Sequence, residues 1–304
     1  MSDIIDIGKL CEWGDMKPEC VCVDEADSIN DAIERGHSKY DESKFSRRSS
    51  HEEGNKDWRG TDGWDDMVRL YDDGWREGRE RIAASLNGVY ESNSTRNSTN
   101  YAVDYDVAGA VPDVPVAVSG DVFCMFTPGD QERDSKPVMR IMVELSASCS
   151  VDAKWIANRG AAVAALVDEI ETSGVSCEIM STHTTSKRHW DERVKGSMIC
   201  SVVTVKRAGE NVDVDDIAFG LGHPSMHRRV MFGMLETSDA KFKNEFSCHY
   251  GYPASLPVGC LPADVMLLPS MTNRGREYDT PEKAMNRVRE YYEQYCERNG
   301  LHVR

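Results

Sequence analysis

From about residue 137 onward, short apolar runs alternate with longer helical stretches, and that order leaves few ways to fold. Val138–Leu145 is the first predicted strand, followed by a helix from about Val151 to Thr172 whose Ile156, Val163, Val167 and Ile170 mark a packing face. Alanines 161, 162, 164 and 165 beside that face let it lie close on a sheet, and Gly174 supplies a stop. A second strand is predicted over Val175–His183. A third, Met198–Lys206, is apolar on both faces and is therefore read as central. Two helices follow at Val214–Leu221 and Ser225–Leu235, the second opened by Pro224. A strand at Ala263–Ser270 comes next, and a last helix runs to Arg298 with Thr280 as cap and Gly300 as terminator. The expectation is a doubly wound α/β domain over residues 131–304, a mainly parallel sheet flanked by helices.

The preceding residues differ in charge. Of a net charge of -16, residues 1–150 carry 31 acids against 17 bases and residues 151–304 carry 21 against 19. An acidic first half repels a phosphate backbone, which argues against broad duplex binding there and leaves the second half permissive. Residues 1–57 are read as an acidic, flexible arm and 58–130 as a helical and extended region, so the N-terminal part is expected to be acidic and helical or irregular. Within it, Trp64, Met67, Val68, Tyr71 and Trp75 share one helix face, weakened by Gly74 and Gly78. No apolar run approaches the roughly 20 residues of a bilayer span, and the start lacks a basic-then-apolar signal, so neither membrane insertion nor secretion is expected. The ten cysteines show no framework spacing, and several, such as Cys200, lie in apolar runs, as reduced thiols of a cytosolic protein do.

In an open α/β sheet, ligands bind beyond the carboxyl ends of the strands. The first predicted strand ends in Glu144-Leu-Ser146-Ala-Ser148, which resembles the Asp-x-Ser-x-Ser ion site of the von Willebrand factor A fold over about residues 138–300. That resemblance implies Mg2+ held by oxygens of Glu144, Ser146 and Ser148, with Thr272 at the end of the late strand as a further oxygen. Glu144 stands in place of the usual Asp, and Thr272 lies where an acidic residue is usual. The plainer reading is no cofactor, with the same three side chains bonding the loop or capping the helix.

A basic cluster, Lys187, Arg188, Arg193, Lys195, Lys206 and Arg207 with Trp190 interleaved, has the chemistry to grip a single nucleic-acid strand by phosphate contact and stacking. Asp191 and Glu192 inside it fit an ordinary charged loop equally well. Arg228 and Arg229 join this surface only if the fold brings them there. His223 and His227, four apart, are read as helix-start and surface histidines, since the Glu of a His-Glu-x-x-His zinc motif is absent. His183 and His189 are read as a solvated loop, and Asp213-Val-Asp-Asp216 as a solvated helix start. No phosphate loop, nucleophile elbow or dinucleotide fingerprint occurs.

Four blocks, Trp58-Arg-Gly-Thr-Asp-Gly-Trp64, Asp73-Gly-Trp-Arg-Glu-Gly78, Asn158-Arg-Gly-Ala-Ala162 and Phe219 through Phe232, together resemble a family of tailed-phage proteins of the N4-like podovirus type. That resemblance implies a protein of the infected bacterial cytoplasm. The expected function is a non-catalytic adaptor for a phage or host protein. The alternatives are a single-stranded DNA-binding accessory protein of phage transcription or replication, and a metal-dependent hydrolase.

Overall fold

A computed structural model describes residues 4–14, 17–38, 50–92, 103–106, 111–112, 114–118, 124–128, 137–186, 197–238, 250, 252–271 and 276–301. In chain order the elements are α1 (Ile7–Gly14), β1 (Val21–Ala26), α2 (Ile29–Ser38), α3 (Lys56–Arg59), α4 (Trp64–Asp73), α5 (Arg76–Ser92), β2 (Val103–Asp106), β3 (Val111–Pro112), α6 (Val114–Val118) and β4 (Met125–Pro128). They continue as β5 (Val138–Glu144), α7 (Ala153–Thr172), β6 (Ser176–Ser186), β7 (Met198–Lys206), α8 (Val214–Ile217), π-helical turns at Ala218–Gly222 and Met226–Met231, α9 (Phe232–Thr237), β8 (Tyr252–Pro253), β9 (Val265–Leu268) and α10 (Pro281–Arg298).

The chain divides into two compact units. One comprises residues 1–89 with 138–304, the other residues 90–137. The smaller unit holds an antiparallel sheet in the order β2-β4-β3. The larger holds a six-stranded sheet in the order β1-β7-β6-β5-β9, with β8 added to β6. In it β5 pairs in parallel with both β6 and β9, while β7 runs antiparallel to β6 and carries β1 in parallel on its far side. The pairing is thus mostly parallel, with helices flanking the sheet, as the alternation of runs predicts.

Local chemistry sets the element ends. Asp152 caps α7 by accepting from Lys154 N at 2.8 Å, Asp213 caps α8, and Thr280 caps α10 ahead of Pro281. The helix predicted through Trp75 is cut at Asp73, because Gly74 takes φ 80° and the chain restarts as α5. Where α7 crosses the turn 218–222, a Cβ on Gly160 would lie 2.4 Å from Gly222 Cα, so the approach requires glycine at position 160.

Two expectations are corrected. Residues 21–38, placed in a flexible arm, supply β1, which pairs Val21–Ala26 with Met198–Val203, and the helix α2 beside it. The second predicted strand does not end at His183: β6 continues to Ser186, and its residues 181–186, all polar, are buried.

Candidate functional site

The carboxyl ends of β5, β6 and β9 meet at the loop 145–152 that leads into α7, and an unusual number of buried polar groups converge on it. Glu144, the last residue of β5, is fully buried. Its carboxylate accepts from Thr184 N at 2.8 Å, Ser146 N at 3.0 Å and the Thr182 hydroxyl at 3.1 Å, which replaces its lost hydration. Arg159, also fully buried on α7, donates to the carbonyls of Glu144 at 2.8 Å and Pro269 at 3.1 Å, tying the ends of β5 and β9 to the helix. Burial pulls its pKa down, and the neighbouring Tyr278 and Glu144 oppose that shift.

The loop is held from outside as well. Arg228 donates to Val151 O at 2.7 Å and to Trp58 O, and its guanidinium stacks on the Trp58 ring at 4.3 Å. Trp58 Nε1 in turn donates to Cys149 O at 2.8 Å. Ser148 N reaches Met271 O, and Met271 N reaches Ser146 O. Cys149, Ser150 and Asp152 remain exposed on a loop whose backbone is fixed from both flanks.

Further down, Arg229 donates to Thr61 Oγ1 at 2.8 Å, Thr61 O at 2.7 Å and Ser50 O at 2.7 Å, and Ser225 Oγ donates to Arg59 O at 2.6 Å. Gly60, at φ 86°, passes so near His223 that a Cβ would lie 2.7 Å from its ring. Trp75 packs edge-on against His223 with ring centroids 4.7 Å apart, and Arg81 just beyond it reaches Asn158 Oδ1 at 3.0 Å. All four sequence blocks singled out above therefore meet in one packed cluster under the rim. It includes the two π-helical turns, a geometry that recurs at functional sites.

His183 and His227 lie within it, their rings 5.3 Å apart with Phe232 edge-on to both. Both are buried, and neither Nδ1 has a hydrogen-bond partner among the described residues. Burial pulls both pKa values below the ordinary 6.5, the charges of Glu144 opposing this for His183 and those of His183 and Arg228 reinforcing it for His227.

Three of the expected metal oxygens, those of Glu144, Ser146 and Ser148, lie among the described residues and each has a protein partner. The carboxylate of Glu144 is taken by Ser146 N, Thr182 and Thr184, the Ser146 hydroxyl donates to Ala254 O at 3.0 Å, and Ser148 Oγ bonds Ser150 Oγ at 3.1 Å. These three side chains are thus hydrogen-bonded to protein partners. Thr272 lies outside the described residues, as do Lys187, Arg188, Trp190, Arg193, Lys195 and His189. Lys206 is not a surface cation: it is buried and donates to Glu171 at 2.7 Å, Cys177 O and Arg207 O. Arg207 is exposed and bonds Asp27 O at 2.9 Å. His183, His223 and His227 are buried, against the expectation of solvated positions, and Arg228 and Arg229 are interior. Asp213 does open a helix, accepting from Asp215 N and Asp216 N. Sequence reasoning missed the roles of Arg159, Arg228 and Arg229. Their signal is arginine inside a mostly apolar helical stretch, Ile156–Leu166 in one case and Met226–Phe232 in the other.

A family model described as Domain of unknown function (DUF7192) matches residues 16–296, most of the chain. No curated protein and no solved structure matches.

Proposed function

We propose that the chain, which belongs to the DUF7192 family, is a non-catalytic adaptor that presents the loop 145–152 to a phage or host protein in the cytoplasm of an infected bacterial cell. One observation carries this reading: the loop is exposed at Cys149, Ser150 and Asp152, while Arg159, Arg228, Trp58 and Glu144 fix its frame from beneath. A pre-ordered loop loses little conformational entropy on contact, which favours recognition by shape. The parallel strands β9-β5-β6 with an antiparallel β7 beyond them, and a carboxylate closing the first strand of the series, support a von Willebrand A-like rim without its ion. Phage origin rests on the four sequence blocks. None of the helices among the described residues is long and apolar enough to cross a membrane, consistent with a partner in an aqueous compartment.

Affinity purification of the full chain from infected cells, with and without nuclease, tests the reading. A protein retained after nuclease and lost from a Ser150→Arg chain supports it. Retention that disappears with nuclease points to the single-stranded DNA reading, and a partner indifferent to Ser150→Arg removes the loop from the interface.

A further inference from the structure

We draw no further inference here: the strongest candidate, the buried His183–His227 ring pair between β6 and the turn 226–231, rests on depressed pKa values alone and restates the acid response that burial of the two rings already implies.

Discussion

On the face of the central sheet that carries α7, the covering elements pack through an apolar cluster and are also bonded to backbone carbonyls by Arg159, Arg228 and Arg229. On the face that carries α1, the cover rests on Leu10, Cys11, Leu256 and Leu261 against Met142, Met180, Met198 and Cys200, with the hydroxyl of Thr184 bonded to Cys200 Sγ. Apolar contact is non-directional and tolerates repacking, whereas guanidinium-to-carbonyl bonds accept one geometry. The difference teaches where the molecule needs a fixed shape. The face with the three arginines leads to the exposed loop, while the other packs by apolar contact up to the Glu144, Thr182 and Thr184 group at its strand ends.

Arg159→Met should break the polar face with the largest effect. It strips the Glu144 and Pro269 carbonyls of their donor and removes a buried cation that interacts with Glu144, and should cost about 4 kcal/mol in denaturant unfolding. Leu10→Ala on the other face should cost about 3 kcal/mol by opening a cavity, with unchanged NMR shifts in the loop 145–152. A loop that moves in both variants would erase the distinction between the faces.

Much of the sheet is legible from local pattern. β5, β7, β9, α7 and α10 announce themselves by apolar runs and by the caps Asp152 and Thr280. β1 does not, because Val21-Cys-Val-Asp-Glu-Ala26 is an acidic edge strand whose identity comes from pairing with Met198–Val203, a partner far along the chain. The end of β6, Thr184–Ser186, reads as a loop because the strand turns polar from Ser181 onward. These polar residues are interior because Ser181 donates to Gly220 O, Thr182 to Glu144 and Thr185 to Tyr250 O. The candidate site is half legible in the same sense. Glu144 is identifiable at a strand end, but whether it faces an ion or the backbone depends on Thr184, forty positions later. The arginines and Lys206 read as surface charge because local composition is silent about carbonyls supplied from elsewhere.

Gly160→Ala probes the seam between α7 and the turn 218–222. The added methyl would meet backbone rather than a yielding side chain, so a cost of about 2 kcal/mol is expected, read as a lowered Tm. The gentlest probe is acid. Burial pulls His223 from 6.5 down to about 3, and His183 and His227 shift in the same direction. Below pH 6.5 the unfolded chain takes up protons that these rings refuse in the folded state. Stability should therefore be full above that pH and fall as pH drops toward 3, by about 1.4 kcal/mol per unit for His223, with His183 and His227 acting in the same direction. In His223→Asn, whose side-chain oxygen can still accept from Ser225 N, that slope should shrink by one ring's share. An unchanged slope would assign the acid response elsewhere.

The sheet edge closed by β1 also imposes an order of events during synthesis. Val21–Ala26 leaves the ribosome well before Met198–Val203 exists to receive it, so for a time on the order of ten seconds or more the nascent amino end has nothing in its own chain to dock against. Protease added to stalled translation products should nick this end in chains halted before residue 198 and spare it in chains released past β7.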